Sequence, residues 1–267
     1  MRYRWFALPL GVLGLSTSLA TGVGHAAPAP VALGGGSGLI VGKLARNLGP
    51  ITNTGEFVCS LATIGHDRAG RLVGLTAGHC GPPGTAVIAE NAVSAGVVGT
   101  IESSTGKSRG DQQGLDYAII EFDPAKVTPM RTVGGTTISS IGATPARGAT
   151  VCHSGRTSGS NCGVVLGSFR TVLDGLTAPL PGGDGVWSGL SPDIGNRILD
   201  KATSAPGDSG GPVTDGDRLV GIQEGVITPP FIPAEVPLHI AAVFVPIDRV
   251  MRGIDATGGI GAGFRPI

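Results

Sequence analysis

PGDSGGP, residues 206–212, sets one serine among three glycines, two prolines and one aspartate. None of these side chains builds a core. A nucleophilic serine needs a base to take its proton, a group to orient that base, and donors for the oxyanion formed on the attacked carbonyl. This heptapeptide can supply the donors from its own backbone. Gly207 lacks a Cβ and can turn its N–H inward, and Ser209 can aim its N–H at the same point. Gly210 and Gly211 leave room for a substrate chain. The competing reading is a glycine-rich turn with an incidental serine.

The base is sought among five histidines. His25 lies in the segment expected to be removed. His66 sits in the polar turn HDRAG, His153 directly follows Cys152, and His239 stands between Leu238 and Ile240 in an expected strand. His79 lies in TAGHC, at the end of an apolar run and beside a cysteine that can tie it down, so it is the best base. Its orienter should be a buried carboxylate. Asp116, in LDYAII, is followed at once by an apolar strand, and a buried aspartate is costly unless hydrogen-bonded. A strand-start cap is the plainer role for Asp116. Asp67, Asp111 and Asp123 sit in turns and are expected to be solvated. The order His79, Asp116, Ser209 is one of those known for this trio.

The rest of the chain fits an exported β protein. Of its 267 residues, 41% are hydrophobic and 14% charged, and 19 basic side chains balance 19 acidic ones. A neutral chain has no broad basic face, which argues against nucleic acid or an anionic membrane as partner. With 47 glycines, short strands and tight turns are favoured over helices. MRYR, then WFALPLGVLGLSTSLA, then small residues make a secretory signal peptide over residues 1–26, cleaved after Ala26. As a membrane anchor the apolar stretch is short. Residues 27–39 read as a short Pro/Gly-rich leader or propeptide. The expected location is outside the cell or at its wall, with no membrane association after signal removal.

Four cysteines in an exported chain read as disulfides, and three pairings are possible. The sequential one, Cys59–Cys80 and Cys152–Cys162, keeps each bridge in its own half, each contributing ~2–4 kcal/mol. A zinc site is disfavoured: no CxxC occurs and His79 lacks a partner at ligand spacing. No catalytic metal or cofactor is expected, and a structural calcium in a loop stays open. From Leu39 onward, short apolar runs alternate with turn residues. They form two sets of about six strands, assigned to residues 40–130 and 131–267. Helical periodicity appears only at the end, where Ile247, Val250, Met251 and Ile254 share a face. Two barrels or sandwiches would account for the pattern.

TAGHC, LDYAII and PGDSGGP together resemble the chymotrypsin-like serine endopeptidases, and more closely their secreted bacterial streptogrisin and alpha-lytic branch. VCHSGRTSGSNCG (151–163) resembles that branch's disulfide loop, and AVFVPIDRVM its C-terminal strand-to-helix run. The likeness covers about residues 39 to 255. It implies an all-β fold of two six-stranded antiparallel Greek-key barrels with a short C-terminal helix. His79 and Asp116 would come from the first barrel and Ser209 from the second. It also implies peptide-bond hydrolysis through an acyl-enzyme, a polypeptide substrate and a monomer, and both sequential disulfides fit the template.

Three departures stand out. Relatives in that branch usually carry an arginine after the first cysteine of the disulfide loop, paired with the aspartate before the serine. Here His153 occupies that place, leaving Arg156, protonated His153, or a freed α-amino group at Ile40 of IVGK as partners for Asp208. The last option would mean cleavage after Leu39. The specificity pocket, by likeness, has its base near Thr203; no acid is there, and Asp200 is three residues off, so strict cleavage after Arg or Lys is not implied. In GIQEGV, Glu224 stands where relatives have a small or aromatic residue. It is either solvated at the cleft rim or selective for a basic or polar residue, and TPPFIPAEVP (228–237) is expected to shape that rim. The alternative function is a catalytically silent extracellular binding protein on the same fold, its oxyanion hole collapsed for want of a partner to Asp208. An esterase of another fold is disfavoured, because no GxSxG elbow is present and the triad order differs.

Overall fold

The computed structural model describes residues 29–42, 56–105, 115–169, 197–227 and 241–267. The expected signal peptide, His25, Asp111, the 228–237 insert and His239 lie outside the described residues. Among those described, no helix is long and apolar enough to cross a membrane.

Nearly every apolar run found in the sequence forms a strand. The first half holds β1 (Val31–Leu33), β2 (Gly38–Gly42), β3 (Glu56–Ser60), β4 (Thr63–His66), β5 (Leu72–Thr76), β6 (Ala86–Ala89), β7 (Val97–Thr105) and β8 (Tyr117–Phe122). The apolar run EFVCSLATI (56–64), which reads as one strand, is two, broken at Leu61 and Ala62. The connector carries four short strands: β9 (Val127–Pro129), β10 (Thr132–Val133), β11 (Thr136–Thr137) and β12 (Ser140–Ile141). The second half holds β13 (Thr150–Gly155), β14 (Gly159–Ser168), β15 (Ile198–Asp200), β16 (Pro212–Asp215), β17 (Arg218–Ile227) and β18 (Ala241–Pro246), then helix α1 (Ile247–Thr257) and β19 (Arg265–Pro266).

The second half closes into a six-stranded barrel, β17-β16-β13-β14-β15-β18, shut by pairing of β18 with β17. The first half is a curled half-barrel, ordered β19-β4-β5-β8-β7-β6-β2-β3. Each has its own apolar interior. Leu39, Leu61, Val87, Val98, Ile101 and Ile120 fill the first, and Val151, Val165, Val213, Val220 and Phe244 the second. A third cluster joins the halves: Leu75 and Ile119 from the first pack with Leu219, Ile222 and Val245 from the second and with Ile247, Val250 and Ile254 of α1. The predicted helical face is thus the one that is buried. Burying each such side chain contributes roughly 1.5–3 kcal/mol, so this cluster holds the two halves against each other.

Two details bear on the site. β1 lies within the residues read as leader, and it pairs in parallel with β9, Val31 opposite Val127. Leu33 is fully buried there. Ile40 lies in the interior of β2, opposite Val58 of β3 on one side and Ile88 of β6 on the other. The disulfides are Cys59–Cys80 and Cys152–Cys162. The second joins residues directly opposite in the β13–β14 hairpin.

Candidate active site

His79 sits in a single 3-10 turn, Gly78–Cys80, directly after β5. The turn is held from three sides. Cys80 is bonded to Cys59 of β3, the Ser104 hydroxyl donates to the Gly78 carbonyl at 2.9 Å, and Asp116 grips His79 twice. The His79 backbone N–H donates to Asp116 Oδ1 at 2.8 Å, and the ring Nδ1 lies 2.6 Å from Asp116 Oδ2. One carboxylate therefore fixes both the position and the rotation of the imidazole. An ionised carboxylate only accepts, so the ring proton belongs on Nδ1 and the lone pair on Nε2. Asp116 is 5% exposed, and its burial is compensated by these two bonds.

Ser209 lies beside this turn, its carbonyl oxygen 4.0 Å from Cys80 Sγ. The Ser60 amide donates to that same carbonyl at 2.8 Å, and the Ser209 hydroxyl points to the Glu224 carbonyl at 3.3 Å. Within PGDSGGP, the Asp208 amide bonds to the Ala205 carbonyl, Gly210 to Gln223 and Gly211 to Asp208. Among the described residues, the Gly207 and Ser209 amides donate to no protein acceptor. Gly207 has φ +100° and Gly210 φ +86°, conformations that a side chain strongly disfavours. The chain thus reserves two N–H groups beside one serine hydroxyl. Such a pair can stabilise charge developing on a carbonyl oxygen.

A family model described as Trypsin matches residues 52–230, well over half of the chain. The chain belongs to the trypsin family. Solved structures of bacterial proteases share the fold of this trypsin-family chain. Thermobifida fusca Protease A matches with a TM-score of 0.56 at 21% identity, over 89% of this chain and 100% of that one. Nocardiopsis protease matches with 0.56 at 22%, over 84% and 96%. Cellulomonas bogoriensis chymotrypsin matches with 0.54 at 22%, over 89% and 99%.

The three groups considered as partners of Asp208 are engaged elsewhere. Asp208 is 1% exposed, and its carboxylate is satisfied by backbone: Thr157 and Ser158 amides donate to Oδ1 at 2.8 and 3.0 Å, and the Ala205 amide to Oδ2 at 2.8 Å. Three charge-assisted bonds of this kind hold a carboxylate without a cation in contact. His153 instead pairs with Asp200, Nε2 to Oδ2 at 2.8 Å. Arg156 forms its ion pair with Glu90, and only its longer-range field reaches Asp208. Ile40 is locked in β2 between two paired strands.

The residues named for the specificity pocket divide. The Thr203 side chain is exposed, and its backbone is clamped by Asn161, which accepts from the Thr203 amide at 2.6 Å and donates to its carbonyl at 3.0 Å. Asp200 is fully buried against His153 and is not a pocket acid. Glu224 is the extra residue of a bulge in β17, where Gln223 pairs with Phe244 and Gly225 with Val243. Bulges re-aim side chains near active sites. The Glu224 carboxylate bonds to Arg197 Nε, a residue the sequence reading passed over because a lone arginine before a short apolar run carries no motif. Burial raises the pKa of Glu224, and the nearby Asp116 charge raises it further, while Arg197 and His79 pull it down. Asp67, expected to be solvated, is buried at 6% exposure and bonded to Arg71 Nε at 2.7 Å. Cys59, His79 and Cys80 bring potential ligand atoms within 4.8 Å of one another, but the two sulfurs are bonded together. No thiolate remains to hold a metal there.

Proposed function

We propose that the protein is a secreted serine endopeptidase. Ser209 attacks the scissile carbonyl. His79 Nε2 takes its proton and later gives it to the leaving amine. Asp116 fixes the tautomer of His79 and stabilises its cation, and the Gly207 and Ser209 amides hold the oxyanion. The acyl-enzyme on Ser209 is then hydrolysed by water with His79 as base. The observation that carries this reading is the two-point hold of Asp116 on His79, beside a serine flanked by two uncommitted amides.

Among the described residues, the two acids weighed for the specificity pocket give no support to selection of basic substrate residues. Asp200 is consumed by His153 and Glu224 by Arg197, so neither carboxylate is available to a substrate arginine or lysine. The principal support for a silent binding protein was an unpaired Asp208. Its three amide bonds remove that support.

The test is labelling of the signal-free protein by a fluorophosphonate probe, beside Ser209→Ala, together with hydrolysis of an unfolded protein substrate. Labelling and hydrolysis that both require Ser209 are expected. A wild-type protein that neither labels nor hydrolyses would favour the binding-protein reading.

A further inference from the structure

Gly207 carries one of the two amides assigned to the oxyanion. With φ at +100° and no side chain, it is the residue of the motif most able to turn that amide away. Both carbonyls that flank it are held by hydroxyls from outside the motif. The Thr157 hydroxyl donates to the Pro206 carbonyl at 2.8 Å. The Ser60 hydroxyl donates to the Gly207 carbonyl at 2.9 Å. From these contacts we propose that Ser60 and Thr157 are positioning residues that lock the Gly207 amide in its oxyanion-binding orientation. The inference rests on the endopeptidase reading above.

The physical reason is the planarity of the peptide. In a trans peptide, C=O and N–H point to opposite sides of one rigid plane. Anchoring the Pro206 carbonyl on the Thr157 side therefore aims the Gly207 N–H the other way. Turning that amide would require breaking the Thr157 bond. The next peptide is pinned as well, its carbonyl by Ser60 and its N–H by the Ala205 carbonyl at 3.0 Å. Glycine then has no soft dihedral left to relax into.

The two hydroxyls are themselves oriented. Ser60 is fully buried and accepts from the Arg156 amide at 3.0 Å, which commits its proton to Gly207. Thr157 Oγ1 accepts from Arg156 Nη1 at 3.2 Å, which commits its proton to Pro206. Arg156 is anchored by Glu90, which follows β6 in the first half. Ser60 also belongs to the first half, whereas Thr157 and Gly207 belong to the second. One of the two locks on Gly207 therefore reaches across from the other half. A Cβ on Gly207 would lie 2.6 Å from Thr157 Oγ1, so the close approach also demands glycine.

The experiment compares wild type with Thr157→Val, Thr157→Ser, Ser60→Ala and the Thr157→Val/Ser60→Ala double variant. It measures kcat, KM and the inhibition constant of a peptide boronic acid, which forms a tetrahedral adduct on the serine. Direct removal of an oxyanion donor costs about 10²–10³ in kcat; loosening one should cost about tenfold for each hydroxyl. KM should stay within about twofold, and boronate affinity should fall by the same factor as kcat, because only the tetrahedral state uses the hole. Thr157→Ser should restore both. Thr157 is exposed, so Thr157→Val remains informative if Ser60→Ala fails to fold. Wild-type kcat and boronate affinity in Thr157→Val would overturn the proposal, as would a rise in KM alone. Wild type that does not react with fluorophosphonate would remove the endopeptidase reading and this one together. Wild type that reacts, with unaffected variants, would remove this one alone.

Discussion

His153 and Asp200 bond to each other at 2.8 Å inside the second barrel, with side-chain exposures of 1% and 0%. The imidazole also stands edge-on to Phe244, ring centroids 6.1 Å apart. The Ala202 amide donates to the other Asp200 oxygen at 2.7 Å. Both residues are thus structural, fixing β13 to β15 at the start of the segment that leads to Ser209. Removing one partner of such a buried pair costs about 3–5 kcal/mol. Asp200→Ala should lose about 3 kcal/mol in urea unfolding, with no gain or loss of preference for basic substrate residues. A loss below ~1 kcal/mol would show that the pair is not the anchor described.

The hold on His79 predicts how activity divides between residues. Asp116→Asn keeps the shape but offers the wrong partner to Nδ1, and turnover should fall by about 10⁴. Ser209→Ala should lose about 10⁶. Single-turnover hydrolysis of an activated ester separates the two. Equal losses for both variants would mean that Asp116 does more than orient the ring.

The position of Ile40 predicts the outcome of cutting after Leu39. The cut breaks β2 between paired residues and detaches β1 with the buried Leu33 and Val31. Burial of each apolar side chain contributes roughly 1.5–3 kcal/mol. A protein starting at Ile40 should therefore unfold several degrees lower and show no rise in fluorophosphonate labelling. Stronger labelling after the cut would contradict this.

Glu224 gives a pH dependence with a defined sign. Burial raises its pKa above 4.5, the neighbouring Asp116 adds to this, and Arg197 and His79 oppose it. A carboxyl whose pKa is raised on folding binds its proton more tightly in the folded state. Its ionisation therefore costs stability as pH rises from 4.5 through the folded value, and the cost is fully present above that value. Unfolding free energies of wild type and Glu224→Gln, followed upward from pH 4.5, should diverge in favour of the variant. Adding Asp116→Asn should shrink the divergence. A flat difference, or one of opposite sign, would mean that Arg197 fully neutralises Glu224.

Much of the candidate site was legible because its local patterns are short. The glycines of PGDSGGP, the cysteine beside His79 and the apolar run after Asp116 each announce themselves within a few residues. The strands were legible for the same reason: LDYAIIEF and RLVGIQEGV are short apolar runs bounded by turns. What the sequence hid was long-range pairing. Two of the three amides that satisfy Asp208 come from Thr157 and Ser158, about fifty positions earlier, and backbone donors carry no residue signature. Arg197 and Glu224 are distant in sequence and meet only through a bulge. Val31–Leu33 looks like linker by composition, and becomes a strand because Val127–Pro129 offers it an edge.

The small strand Arg265–Pro266 lies against Gly65 and His66, and the Gly261 amide reaches back to Asp67 at 3.1 Å. A segment that follows every strand of the closed barrel in the chain therefore lies on the β4 edge of the other half. Unpaired backbone groups on such an edge are a template for other chains; here the protein's own backbone occupies them, so self-recognition along β4 takes the place that a stranger's strand could fill.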